Sequence, residues 1–182
     1  MQLPNYPAWC FILAILCGAQ TPLRAASPTG APAGWTVHAP RDEIRPEFAF
    51  EANGGPDQHG ALVIRADQRE GLDGWWSKTF EVTGGKSYRL ATLFKTDRVA
   101  HPRQSVVAEL LWLDAHGKQV THDEPSRGTY LPGVKPRAET EYPAIGATRP
   151  DGWTEIADVY RAPSAAARCV VELHLQWSPQ SE

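Results

Sequence analysis

Six tryptophans, at positions 35, 75, 76, 112, 153 and 177, are the residues most able to do chemistry in the body of this chain. A sugar ring presents apolar C–H faces that stack on aromatic planes, and its hydroxyls need Asp, Asn, Arg or Gln close by. Trp75 and Trp76 are neighbours, so a strand must aim them at opposite faces. Trp76 shares parity with Phe80 and Val82, which assigns Trp76 to the core and Trp75 to an exposed platform. The surrounding stretch ALVIRADQREGLDG (61–74) adds Arg65, Asp67, Glu70 and Asp73. Arg65, Asp67 and Asp73 are therefore candidate ligand-binding residues beside Trp75. Tyr130 and Tyr142 join them from a connection of about 30 residues, 123–152, that shows no strand or helix signal. Its alternative role is to wrap a sheet edge. The carboxylates of the 67–73 loop also make it the place for a structural calcium ion, which takes several oxygen ligands. They do not form a glycosidase pair, which opposes two carboxyls across a cleft about 5–10 Å wide.

Other chemistries are poorly supplied. The six histidines (38, 59, 101, 116, 122 and 174) include no HExxH spacing, and there is no CxxC. His116, His122 and Asp123 come nearest to a ligand set, but they read as turn and strand-end residues, so no metal ligand is assigned. Neither a phosphate-cradling Gly loop nor a Gly-x-Ser-x-Gly elbow occurs. Cys169 falls on the apolar side of an alternating strand, where burial raises a thiol's pKa and lowers its reactivity. With no nucleophile, base and orienting group converging, the expectation is a binding protein, not an enzyme.

Short strands must position these residues. Apolar runs rich in Val, Leu, Ile and aromatics, separated by Gly, Pro and Asp, predict strands near 48–51, 61–66, 76–82, 87–96, 105–114, 118–122, 153–160 and 167–177. The last is the clearest: Cys169, Val171, Leu173, Leu175 and Trp177 share one face, and Arg168, Glu172, His174 and Gln176 share the other. Ser105–Asp114 is apolar on both sides except at Glu109, as expected of a strand that sits centrally or under a long loop. Glycines in Thr83-Gly84-Gly85-Lys86 and Asp114-Ala115-His116-Gly117-Lys118 predict two hairpins. No window sustains a helical period. The expected fold is all-β, an antiparallel two-sheet β-sandwich of jelly-roll type.

The chain is 182 residues long, 42% hydrophobic and 21% charged, with 15 Gly and 16 Pro and a net charge of −3. That size suits one core, and the charge offers no electrostatic reason to bind nucleic acid or anionic lipid. The apolar run Ala8–Ala19, AWCFILAILCGA, is too short to span a bilayer. Although no Lys or Arg precedes it, its length, the small residues after it and the polar stretch that follows read as a secretory signal over 1–25. A flexible leader (26–34) and a single domain (35–182) follow, in a secreted or periplasmic protein with no membrane contact after cleavage. Cleavage removes Cys10 and Cys17 and leaves Cys169 alone, so no internal disulfide is expected.

The order of motifs carries a resemblance. GWWSKTFEVTGGKSYRLATLFKT (74–96), VVAELLWLDAHGKQV (106–120) and GWTEIADVYRAPSAAARCVVELHLQW (152–177) resemble bacterial jelly-roll modules of the carbohydrate-binding, galactose-binding-like type. APRDEIRPEFAF (39–50) and GALVIRADQREGLDGWWSKTF (60–80) look like the N-terminal accessory region of secreted carbon–nitrogen hydrolases of the nitrilase superfamily. The resemblance implies two partners, a glycan or a catalytic nitrilase-like domain on which the module docks. Such modules end in one further strand, so this chain is expected to lack its last. A nitrilase's Glu, Lys and Cys would lie in a separate domain, for which Cys169 cannot stand in.

Overall fold

A computed structural model describes residues 28–67, 69–124 and 133–176. The readings made for residues 1–27, for Tyr130 and for Trp177 lie outside them. Nine strands follow in chain order: β1 (Thr36–His38), β2 (Glu47–Glu51), β3 (Ala61–Arg65), β4 (Asp73–Glu81), β5 (Ser87–Phe94), β6 (Val106–Leu113), β7 (Ile145–Thr148), β8 (Thr154–Arg161) and β9 (Arg168–Gln176). All pairings are antiparallel, and the only described helices are a three-residue 3-10 turn (Asp42–Ile44) and a four-residue helix (Pro102–Ser105). The protein is the expected all-β sandwich.

One layer is a four-stranded sheet in the order β1-β4-β9-β6. Opposite it stand a three-stranded sheet, β5-β8-β7, and the hairpin β2-β3. Strand alternation sends one set of side chains from the four-stranded sheet inward: Val37, Trp76, Ala108, Leu110, Trp112, Cys169, Val171 and Leu175 are all buried. Leu110, Trp112, Cys169 and Val171 pack with Val120, Ala138, Ala162 and Ala166, and with Tyr88, Leu90 and Tyr160 of the opposing sheet. Each fully buried aliphatic side chain here contributes about 1.5–3 kcal/mol. At the other end, Trp76 donates from Nε1 to the Val63 carbonyl at 3.2 Å and meets the edge of Phe48. These contacts lay β2-β3 across the inner face.

Two differences from expectation have physical reasons. Thr83–Lys86 does turn, with Lys86 N donating to the Thr83 carbonyl and Gly85 at φ +77°. It is not a hairpin, because β4 and β5 belong to different sheets; Gly85 N and the Lys86 carbonyl bond to Ala162 instead. Asp114–Lys118 is a hairpin turn, tightened by Asp114 Oδ1 accepting from His116 N and Lys118 N. Its return arm, predicted as a strand over 118–122, makes only isolated bridges at Gln119 and Thr121. β6 is the outermost strand of its sheet, not a central one, and is covered by the long connection: residues 136–138 bond to 120–122 beside it, and Glu141 bridges Leu110 directly. That is the edge-wrapping alternative, and the short strand β7 follows it. β1 and β7 gave no alternation to read, at three and four residues.

Candidate functional site

Residues of opposite parity to the core project from the four-stranded sheet's outer face. Register sets them in rows: His38 is opposite Trp75, and Trp75 opposite His174. In the next row Ser77 is opposite Glu172, and Glu172 opposite Glu109. Because Glu141 bridges Leu110 on the far side of β6, Tyr142 comes up beside Glu109. Burial raises the Tyr142 phenol above its ordinary pKa, and the Glu109 charge adds to the rise. Asp73 begins β4 at the end of the same face.

The rows form a connected cluster. The Trp75 indole lies between two imidazoles, 4.8 Å from the His174 ring and 5.8 Å from that of His38, at 18° and 17° to them. His174 has only 9% of its side chain exposed, with Nε2 3.4 Å from Glu172 Oε2 and Nδ1 4.0 Å from Asp73 Oδ1. Asp73 Oδ1 and His174 Nδ1 are both buried without a hydrogen-bond partner. Burial pushes the Asp73 carboxyl above the usual carboxylate range, partly offset by His174. Burial likewise raises Glu109; His174 opposes the rise, and the charges of Glu172 and Asp73 add to it. Among the described residues no Lys or Arg forms an ion pair with Asp73, Glu109 or Glu172. Glu109, Glu172 and His174 can each bring one ligand atom to within 4.8 Å of the others.

The residues singled out from sequence separate into two groups. Trp75, Asp73 and Tyr142 all lie on this face, Trp75 and Asp73 on β4 and Tyr142 beside Glu109 on the far side of β6. Trp75 is half-buried with imidazoles against both ring faces, so it presents an edge in place of the open platform expected of it. Arg65 is spent in the β2-β3 hairpin, 2.8 Å from Glu51 and 3.4 Å from Glu47. Asp67 is held by Arg69 at 2.7 Å, which lowers its pKa, and Arg69 also donates to the carbonyls of Glu43 and Arg45. The proposed 67–73 calcium loop is therefore divided, because Asp73 belongs to a strand and Asp67 to an Arg-paired turn. Asp123 bonds to Ser164 N and Oγ, which lowers its pKa.

His174, Glu172, Glu109 and His38 were not chosen as site residues. Glu172 and His174 were legible as the polar face of β9, expected wet but largely enclosed in the structure, and Glu109 as the single charge in an apolar strand. What joins them is the β4-β9-β6 register, which alternation within one strand does not specify.

On the opposite side of this sheet, a cleft of about 1130 Å³ opens between β3 and the end of β5, with Trp76, Leu173 and Leu175 at its floor and Trp35 and Trp153 in its walls. Among the described strands β3 pairs only with β2, and β5 only with β8.

No family model and no curated protein matches the chain. Among solved structures it is similar to the enzymatically active domain of bacteriophage CBA120 tailspike protein 4, with a TM-score of 0.49 and 12% identity. The match covers 82% of this chain and 18% of the tailspike chain. A likeness at that level carries no argument about the site or its chemistry.

Proposed function

We propose that this chain is an exported, non-catalytic β-sandwich module that binds a hydroxyl-rich ligand, a glycan first among them, on the outer face of the four-stranded sheet. One observation carries the reading: Asp73, Glu109 and Glu172 stand half-buried together on this face, and among the described residues no Lys or Arg pairs with them. Ligand hydroxyls are donors of the kind such acceptors lack, and the edges of Trp75 and exposed Tyr142 supply the apolar contact a sugar ring needs. Titration of the full chain across a saccharide panel is the test. Binding that weakens by about tenfold in both Trp75→Ala and Asp73→Asn, the size of one lost contact, supports the reading. No ligand across the panel overturns it.

A second reading is an accessory domain that docks on the catalytic domain of a carbon–nitrogen hydrolase. It is favoured by the inner cleft, where two strand edges that proteins usually cover border a lining of aromatic, aliphatic and charged side chains. Docking there would slow amide exchange in β3 and β5 when a catalytic domain is joined to the chain. Unchanged exchange would reject it.

A further inference from the structure

Glu109 and Glu172 stand directly opposite each other on neighbouring strands. Like charges in that arrangement destabilise a sheet, and here Asp73 adds a third carboxylate. His174 is the one basic group that contacts them among the described residues, and it can supply at most a single positive charge. The cluster is short of cation. Its central member is also unusually enclosed: the His174 side chain is nine-tenths buried, yet its Nδ1 has no hydrogen-bond partner.

The distances suit coordination better than hydrogen bonding. At 3.4 Å, His174 Nε2 and Glu172 Oε2 are farther apart than a good N–H···O bond. Two ligands of a tetrahedral ion, at Zn–N of about 2.0–2.1 Å and Zn–O of about 2.0–2.2 Å, sit about 3.4 Å from each other. Glu109, within 4.8 Å of both, reaches the same point by about 1 Å of side-chain movement. Asp73 then has a defined part. A metal-bound imidazole commonly donates its other N–H to a carboxylate, which fixes the tautomer, and Asp73 Oδ1 is the buried, unpartnered acceptor on the Nδ1 side.

We infer that Glu109, Glu172 and His174 form a binding site for one divalent transition-metal ion of the zinc type, with Asp73 orienting His174 from behind. A mixed imidazole and carboxylate set favours Zn²⁺ over the all-oxygen preference of Ca²⁺ or Mg²⁺. Three protein ligands leave a coordination position open toward the outer face, where Tyr142 stands at the rim. The ion site does not depend on a glycan being the ligand.

Zn²⁺ alone, titrated calorimetrically into the tag-free full chain after chelator treatment, is the test. Expected are one saturable ion per chain, a raised melting temperature, and at least a tenfold loss of affinity in both Glu172→Gln and Glu109→Gln. Asp73→Asn should weaken affinity by about 10–100-fold, and Co²⁺ should give a visible absorption band that the glutamine variants lose. His122→Ala, away from the cluster, should bind as wild type. Circular dichroism of each variant checks folding; the glutamine variants keep shape and remove charge, so they carry the test if His174→Ala does not fold. The inference is overturned if the folded wild type takes up no Zn²⁺, if both glutamine variants bind it unchanged, or if Ca²⁺ or Mg²⁺ binds more tightly. No saccharide enters this titration, so its failure is distinct from failure of the ligand-binding reading.

Discussion

The two faces of the four-stranded sheet are built from alternate residues of the same strands, and they solve opposite problems. Along β9 the inner residues Cys169 and Val171 are buried among Leu110, Trp112 and alanines, and Leu175 is buried farther along. The outer residues one step away, Glu172 and His174, are nearly as enclosed but ionisable. Inside, burial is favourable because among the described residues Trp112 Nε1 is the one polar side-chain atom left without a partner. Outside, comparable enclosure is imposed on groups whose charges repel, so that face gives up stability where the inner face gains it. A folded chain keeps such an arrangement where something else, a ligand or an ion, offsets it.

The most severe way to break this contrast is to empty the inner face. Trp112 is 1% exposed at the centre of the core, so Trp112→Ala should cost about 3–5 kcal/mol in urea unfolding. Trp75→Ala, on the same sheet but facing out, should cost clearly less, because Trp75 is itself only half-buried and stacks on one side against the half-buried His38. Equal losses would mean that the outer row is a second core.

A smaller effect tests the crossing between layers. A Cβ on Gly84 would run into the backbone carbonyls of Ser164 and Pro163, and neither can yield as a flexible side chain would. Gly84→Ala should therefore destabilise by about 1–3 kcal/mol. Gly85 has open space but a φ of +77°, so Gly85→Ala isolates the conformational cost of about 1 kcal/mol. If Gly84→Ala proves the milder of the two, the Ser164 loop moves more freely than its bonds to Asp123 suggest.

These examples also mark where sequence reading succeeds. Alternation needs only one strand, so the inward set Trp76, Trp112 and Cys169 was legible, and so was the placing of Glu172 and His174 on the other face; their enclosure there, in place of the expected wetness, was not. The Gly85 turn was legible as a turn but not as an inter-sheet link, because a tight turn and its positive φ look alike whether the strands it joins pair or part. The site needed more: Asp73, Trp75, Glu109 and His174 come from three strands spanning about 100 residues, and their meeting depends on register. Arg65 and Asp67 misled for the converse reason. They are close to Trp75 in sequence, but Glu47, Glu51 and Arg69 claim their charges locally.

Relieving the outer face should have the opposite sign. In chelator, Glu109→Gln removes one of two directly opposed carboxylates, and stability should rise by about 0.2–1 kcal/mol. The same change is the one expected to weaken Zn²⁺ uptake. Stability gained together with binding lost is the signature of residues kept for a site; a variant that loses both would place Glu109 with the structural residues.

The smallest effect at neutral pH concerns the thiol that separates the two faces most sharply. Burial pushes Cys169 from its ordinary value near 9 up to about 11. The folded protein therefore holds the proton more tightly than the unfolded chain does. Stability owed to the neutral thiol is fully present below about pH 9 and falls away as pH rises toward 11. At pH 8 a thiol-specific reagent should label native Cys169 only as fast as the domain opens, and urea should raise the rate in step with unfolding. Cys169→Ala should flatten the pH 9–11 decline without altering anything on the outer face. Rapid labelling of the folded chain would mean that the inner face is wet, because a thiol one residue from an ionisable row stays neutral only if water is kept from its own side of the strand.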